Sequence, residues 1–199
     1  MYKKISEDVA SEFYKSTVTE RRMNCIFETY SEVKKAIFGS PMLMQLIGTS
    51  QPTLEIYGSS VNSLAQKKDS DLDLTLLVND FDISHEVILK HVEVALSQSA
   101  RFYCARGPQQ IQSGILLSFH DKANQIDVDL LINKTTEVIN SQLVLAYGQY
   151  DVRFIKLALF LKAWNKSRFT DKMKRLNSFS IYLMLIAFLQ HKEILPNLQ

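Results

Sequence analysis

The spacing of apolar and polar residues changes twice along this chain. From about Ile5 to Leu46, apolar residues recur at helical spacing, which predicts helices that end near Gly39-Ser40-Pro41 and a short further segment to about Ile47. From Thr135 onward the helical spacing returns and persists. Between these parts, short apolar or alternating runs are separated by turn residues, so the predicted order is helices, a β-rich unit and helices again.

The β-rich unit contains runs of strand length with turns between them. Strands are predicted at Thr53–Tyr57, Asp71–Val78, Arg101–Ala105, Gly114–His120 and Gln125–Ile132. A helix is predicted over Ile83–Gln98, because its apolar residues follow the pattern of a helix packed on a sheet. Ser60 or Asn62 is expected to cap a brief helix through residues 64–65, and residues 67–70 then lead into the second strand.

This order predicts an α+β fold in which the β-rich unit is inserted between two helical parts that pack together. Residues 1–47 are expected to be helical and to belong to a central domain. Residues 48–134 form the β-rich domain, and residues 135–199 form the rest of the helical domain. Within the last part, helices are predicted over Val138–Ala146, Val152–Lys166 and Ser178–Leu189.

Composition describes an ordinary globular protein. Of its 199 residues, 46% are hydrophobic and 22% are charged, and the net charge of +2 gives no strong whole-chain argument for a polyanionic partner. Cys25 and Cys104 show no metal-ligand or disulfide-framework spacing, so we expect a reducing compartment, the cytoplasm first, with mitochondria and the nucleus left open. No signal peptide or membrane-spanning run is visible, and no membrane association is expected.

The chemistry of the chain is concentrated in Tyr57–Val78. Asp71 and Asp73 occupy alternate positions of an apolar run, so on a strand both carboxylates project from one face. Such a pair is tolerated when cations lie between the carboxylates, and ligand sets made only of oxygen favour Mg²⁺ or Mn²⁺. The preceding Gly58-Ser59 turn can bring backbone N–H groups close to a phosphate. Together these features predict a metal–nucleotide site.

A later strand offers further carboxylates. Asp127 and Asp129 share a face of the last predicted strand. An isolated pair of this kind is equally well explained as the polar face of an edge strand. Its occurrence after the first pair makes a third metal ligand the better interpretation.

These residues resemble the DNA polymerase β-like nucleotidyltransferases, and in particular their noncanonical poly(A) polymerase and terminal uridylyltransferase branch. The family pattern is a Gly-Ser pair, a linker, Asp-h-Asp-h (h, hydrophobic) and a third Asp on a later strand. Here it reads Gly58-Ser59, Asp71-Leu72-Asp73-Leu74 and Asp129. Asp129 is preferred to Asp127 because the run DLLINKTTEVIN resembles the sequence that follows the third carboxylate in the family.

The resemblance continues into the C-terminal helices. Phe160–Lys166 resembles the K-x-W-x-K element of the branch, and Leu176–Ser180 resembles its L-S-S-Y segment. Ile194–Gln199 resembles the loop that follows. The family's helical domain normally continues beyond this loop, so the resemblance implies that the domain is incomplete at the C-terminus.

The resemblance implies a polymerase β-like palm with a mixed sheet, and an enzyme that adds UMP or AMP from UTP or ATP to an RNA 3′ end without a template. The overall look of the C-terminal helices favours uridine slightly as the added nucleotide. Asp71, Asp73 and Asp129 would be catalytic and would bind Mg²⁺ or Mn²⁺, and pyrophosphate would be released. The nucleotide would be bound by residues of the Gly-Ser turn and of the helical part. These are Gly58, Ser59, Asn140, Ser141, Lys162, Lys166, Ser178 and Phe179.

Several of these residues also have an ordinary structural explanation. Lys162 and Lys166, four positions apart, are compatible with a solvated helix face. Asn140 and Ser141 are common as cap or surface residues, and Phe179 is compatible with core packing. The resemblance places Phe179 where the family has a base-stacking Tyr, so the hydroxyl group is missing.

The expected RNA contact is also altered. Ser113 and Ser118 stand where the family pattern R-h-P-h-h-K has its basic residues. RNA binding would then depend on Arg101, Arg106, the segment Arg168–Arg175 or an RNA-binding partner protein. The single tryptophan, Trp164, is expected in the core.

Two alternatives stay open at this point. One is a catalytically weak scaffold that keeps the fold and binds RNA or a partner protein. The other is a member of the superfamily that modifies a small molecule or makes oligoadenylate. The retained carboxylates count against the first, and the matches in the C-terminal helices count against the second.

Overall fold

The computed structural model describes residues 2–48, 51–62, 64–65, 71–79 and 82–198. The predicted linker 67–70 lies outside the described residues. The helices are α1 (Tyr2–Ser16), α2 (Glu20–Phe38), α3 (Pro41–Ile47), α4 (His85–Ser97), α5 (Thr135–Tyr150), α6 (Val152–Arg168) and α7 (Ser178–His191). Across these described parts of the chain, no helix has the combination of length and apolar character that crossing a bilayer requires.

The strands form one mixed sheet, as the predicted α+β fold requires. They are β1 (Thr53–Tyr57), β2 (Leu72–Leu77), β3 (Phe102–Tyr103), β4 (Gln109–Ile111), β5 (Gly114–Asp121) and β6 (Ile126–Ile132). The spatial order is β1-β2-β6-β5-β3, and β4 pairs with β5 off this path. Only β2 and β6 pair in parallel, and the other described pairs are antiparallel.

One face of the sheet is apolar and the other carries the acidic residues. Leu72, Leu74 and Leu76 of β2 are fully buried, and their register partners on β6 are also apolar. Helices α2, α3 and α4 complete this core with residues such as Val33 and Val92. Because side chains alternate along a strand, Asp73 and its β6 partner point to the opposite face.

A second core is formed by the helical part. Its buried residues come mainly from α5, α6 and α7, and include Tyr147, Phe154 and Ile186. Helix α1 packs against α6, and Phe13 of α1 contacts this second core. Helices α2 and α3 contribute instead to the core of the sheet, so residues 1–47 are shared between the two cores. The assignment of domain boundaries stays a prediction.

Two local predictions were wrong. Residues 64–65 are not helical: the chain makes a short 3₁₀ turn at Gly58–Ser60, and the Asn62 Oδ1 atom then accepts a hydrogen bond from the Leu64 N–H at 3.1 Å. Trp164 is not in the core, because it is 49% exposed. Its ring packs edge-to-face against Phe169.

The carboxyl ends of β2 and β6 fix the start of α5. Asn133 adopts a positive φ of 56°, and its Oδ1 atom accepts a hydrogen bond from the Val78 N–H at 2.8 Å. The next N–H group, that of Lys134, donates to the Thr75 hydroxyl at 2.9 Å. These contacts hold the first turns of α5 beside the acidic face of the sheet.

Candidate active site

Asp73 lies at the centre of the acidic face. Its register partners are Asp129 on the parallel strand β6 and Tyr57 on the antiparallel strand β1. Asp71 precedes β2 and is exposed, whereas Asp73 is half-buried. The alternation predicted from the sequence therefore places Asp73 and Asp129 side by side, with Asp71 near them.

The surroundings of Asp73 disfavour its charge. Burial is the main cause, and the nearby carboxylates of Asp129 and Asp71 add to it, so the pKa of Asp73 rises to about 7. The Lys162 ammonium group acts in the opposite direction. A cation bound at these carboxylates would favour the charged form of Asp73 for the same electrostatic reason. The oxygen-only donor set fits Mg²⁺ or Mn²⁺.

Asp129, rather than Asp127, is the β6 carboxylate beside Asp73. Its Oδ1 atom accepts a hydrogen bond of 2.6 Å from the Ser118 hydroxyl on β5. Asp127 is more exposed and pairs with His120 at 2.7 Å. Within the described ranges, no three Asp, Glu, His or Cys side chains are gathered closely enough to form a ready metal cage.

The Gly58 turn is packed directly against Asp73. Gly58 has a φ of +70°, and a Cβ atom at this position would collide with the Asp73 Oδ2 atom. The Gly58 N–H donates to the Ser141 hydroxyl at 2.7 Å, and this hydroxyl donates to the Glu137 carbonyl at 2.7 Å. In this structure the Ser141 hydroxyl therefore holds the Gly58 turn against α5. A contact of Ser141 with ribose stays a prediction.

A cavity of about 410 Å³ opens between the Gly58 turn and the helical part. This volume lies in the usual range for small-molecule sites. Most of the predicted nucleotide-binding residues line it together with two of the carboxylates. They are Gly58, Ser59, Asp71, Asp73, Asn140, Ser141, Lys162, Ser178 and Phe179.

Two predicted residues lie outside this lining. Asp129 is beside Asp73 on the sheet but does not contribute to the cavity wall. Lys166 is exposed, one turn beyond Lys162 on α6. Lys162 itself donates to the Leu64 carbonyl at 3.3 Å, and its charge acts on Asp73 across the cavity.

Helix α7 brings an aromatic wall and a polar group into the cavity. The Asn177 side chain caps the helix by accepting from the Ser180 N–H at 2.7 Å, which fixes the first turn. Ser178 and Phe179 then line the cavity. Tyr182, one turn later, is buried and shares a hydrogen bond with Ser178, although its burial raises its pKa to about 12.

Four lining residues were not predicted: Tyr57, Asn62, Glu137 and Tyr182. Tyr182 could have been inferred from its helical spacing after Ser178, and Glu137 from its spacing before Ser141. Tyr57 is the last residue before Gly58. Burial and the negative charges of Asp73, Glu137 and Asp129 raise its pKa, so its phenol stays protonated at neutral pH.

Arg101 has a structural role that removes it from the candidate RNA contacts. Its guanidinium donates to Asp121 at 2.9 and 2.8 Å and to Glu28 at 2.9 Å. Asp121 is fully buried and also accepts a hydrogen bond from the Thr29 hydroxyl on α2. Arg106, by contrast, is exposed.

The chain has recognisable similarities to known proteins. Residues 5–149 match the family model described as poly(A) RNA polymerase, mitochondrial-like, central palm domain. Poly(A) RNA polymerase GLD2 of Rattus norvegicus is 29% identical over 164 residues, which cover 75% of this chain and 33% of GLD2. The chain thus spans about a third of the length of this curated relative.

Solved structures agree on the fold. The Cid1 poly(U) polymerase bound to MgGTP superposes with a TM-score of 0.77 at 19% identity, over 95% of this chain and 57% of Cid1. The GLD-2/RNP-8 complex superposes with a TM-score of 0.76 at 24% identity, over 98% of this chain and 69% of the compared chain. The mixed sheet and the surrounding helices therefore have the same fold as these structures.

Proposed function

Because the chain belongs to the family of the mitochondrial-like poly(A) RNA polymerase central palm domain, we propose that it adds nucleotides to RNA 3′ ends without a template. The observation that carries this proposal is one cavity in which Asp71 and Asp73 face Lys162, Ser178 and Phe179. Carboxylates on one wall and a cation with an aromatic ring on the other suit a nucleoside triphosphate bound with a divalent metal.

The proposed donor is ATP, with UTP as the second candidate. The family description and the GLD2 relative both carry the name poly(A) RNA polymerase. UTP stays the second candidate because the Cid1 poly(U) polymerase is similar to this chain in its fold. Phe179 offers either base an aromatic face without a hydroxyl group, so discrimination between them needs another group.

The metal ions would be held by Asp71, Asp73 and Asp129. When bound, Mg²⁺ or Mn²⁺ would stabilise the charge that develops on the attacking and leaving oxygens at the α-phosphate. The donor set fits, because all three residues offer carboxylate oxygens, and Asp71 and Asp129 both act on Asp73 as neighbouring negative charges.

The protein's own residues mainly position the substrates. Lys162 would bind the triphosphate through its ammonium group, and Ser178 would donate a hydrogen bond to a phosphate oxygen. The Gly58 turn keeps Ser59 at the cavity wall. Asn140 would contact the ribose. Lys166 lies outside the cavity wall, and its contact with the triphosphate stays a prediction.

The RNA primer is expected on the Asp129 side of the acidic face. With Arg101 committed to Asp121, the exposed basic residues Arg106, Arg168 and Lys174 are the remaining candidates for phosphate contacts. The GLD-2 relative was solved in complex with RNP-8, which supports a partner protein for this chain too. Localisation in the cytoplasm stays a prediction.

Primer extension tests the proposal. A labelled RNA primer is incubated with the protein, Mg²⁺ or Mn²⁺, and each of the four ribonucleoside triphosphates in turn. We expect extension with ATP, and weaker or comparable extension with UTP. The control is the double variant Asp71→Ala with Asp73→Ala, which should keep its circular dichroism spectrum and lose extension. Absence of extension with all four nucleotides and both metals would refute the enzymatic proposal and favour the scaffold.

A further inference from the structure

Ser118 and Asp129 form a side-chain contact between two neighbouring strands. They are register partners on the antiparallel strands β5 and β6. The Ser118 hydroxyl donates to Asp129 Oδ1 at 2.6 Å, within the range of hydrogen bonds to a charged acceptor. Both side chains lie on the face of the sheet that carries Asp73, because Asp73 and Asp129 are themselves register partners.

This contact contributes little to folding, since Ser118 is exposed and water can replace the lost hydrogen bond. The hydrogen bond instead orients the carboxylate of Asp129. Asp129 stands beside the cavity wall, and in the described parts of the chain its carboxylate is not gathered with others into a finished metal cage. The orientation of the Asp129 side chain therefore decides whether it joins Asp71 and Asp73 around a cation.

We propose that Ser118 is a positioning residue that holds one carboxylate oxygen of Asp129, so that the other oxygen is presented to a divalent cation shared with Asp73. This inference rests on the proposed function. It follows the general behaviour of metal sites, in which a hydrogen bond from outside the ligand set orients a ligating carboxylate. The substitution of Ser118 would then change metal affinity and turnover without changing nucleotide binding.

The neighbouring pair on the same two strands shows why the assignment is specific to Ser118. His120 and Asp127 are also register partners and lie 2.7 Å apart. Asp127 is 73% exposed at its side chain, and it lies one position before the start of the β2–β6 ladder, which begins with Leu72 opposite Val128. A hydrogen bond there orients a surface carboxylate, whereas the one from Ser118 orients a carboxylate that lies in register with Asp73 on the neighbouring strand.

The test measures Mn²⁺ binding to the full chain by electron paramagnetic resonance of free Mn²⁺, without RNA or nucleotide. Ser118→Ala should weaken Mn²⁺ binding about tenfold, and Ser118→Thr, which keeps a hydroxyl on a residue suited to strands, should restore it. The matched control is Ser113→Ala, an exposed serine before the same strand. In primer extension, Ser118→Ala should lower kcat and keep the KM for the nucleotide within about twofold.

Unchanged Mn²⁺ binding in Ser118→Ala, or no recovery in Ser118→Thr, would overturn the inference. Asp73→Asn serves as the reference that separates this failure from failure of the proposed function. If Asp73→Asn loses Mn²⁺ binding and Ser118→Ala does not, only the role of Ser118 is wrong. If Ser118→Ala weakens Mn²⁺ binding but the wild type extends no primer, the role of Ser118 stands and the proposed reaction is wrong.

Discussion

At the scale of single residues, Asp73 combines an energetic cost with its expected function. Burial and its acidic neighbours raise its pKa to about 7, so without metal Asp73 keeps its proton at pH values where an ordinary aspartate is charged. The folded-state pKa is raised above the unfolded value of about 3.9, so the folded state binds the proton more tightly. The contribution of Asp73 to stability is therefore fully present below about pH 4 and is lost as pH rises towards about 7.

Asp73→Asn should consequently stabilise the metal-free chain at pH 8, by at most about 4 kcal/mol, because the amide is never charged. The gain should largely vanish near pH 4. Urea unfolding in the presence of a chelator, at both pH values, measures it. An equal effect of the substitution at both pH values would contradict the raised pKa. The same variant should be inactive in primer extension.

The effect of a substitution at Gly58 can be predicted from its close contact with Asp73. Gly58→Ala should lower stability by about 1–3 kcal/mol, because it places a Cβ atom in the left-handed region and against the Asp73 carboxylate. Extension activity should fall further than stability, since the collision displaces a proposed metal ligand. The control is Gly114→Ala, which also has a positive φ of 131° but nothing near its Cβ position. Equal losses of activity in both variants would show that backbone strain alone is responsible.

At the scale of elements, Asp121 joins the end of β5 to α2 and to the residue before β3. Its pKa is lowered because the hydrogen bonds from Arg101, Thr29 and the Ala123 N–H outweigh its burial. The sign is therefore opposite to that of Asp73: the stabilisation is present above the unfolded pKa of about 3.9 and is lost as pH falls through the lower folded pKa.

Asp121→Asn should destabilise the protein by about 3 kcal/mol at pH 7. The Arg101 guanidinium would lose the negative charge of its buried partner and keep only a neutral amide beside it. Chemical unfolding across pH 3–7 measures the effect. The difference from wild type should shrink towards the acidic end, where the wild-type carboxyl group also becomes neutral. Asp127→Asn, at an exposed carboxylate, is the control and should change stability by less than about 0.5 kcal/mol.

The elements also show what a sequence can and cannot predict. Helices α4 to α7 and strands β1, β2, β5 and β6 were predicted near their observed places, because their apolar period is set by the core they face. Strand β4 was missed because Gln109 and Gln110 carry no alternation, and the strand exists through its pairing with β5. Ser118 could not be assigned for a related reason, since its role comes from a contact with Asp129 on the neighbouring strand.

At the scale of the whole molecule, the cavity lies between residues of the sheet and residues of the helical part. A nucleotide bound there would contact both cores and should stabilise the folded chain as a unit. At 100 times its Kd, ATP with Mg²⁺ should add about 2.7 kcal/mol to the free energy of unfolding. Thermal unfolding with increasing ATP or UTP measures this, and Lys162→Ala should reduce the shift. A shift of equal size in Lys162→Ala would place the binding site elsewhere.

Trp164 provides an intrinsic fluorescence probe of unfolding. It is the only tryptophan in the sequence, and it sits half-exposed on α6 in the helical part, apart from the core of the sheet. Tryptophan emission therefore reports on the surroundings of α6 alone, while far-ultraviolet circular dichroism reports on both parts. Coincident melting curves from the two signals would show that the sheet and the helical part unfold together, and separated curves would show that each melts by itself.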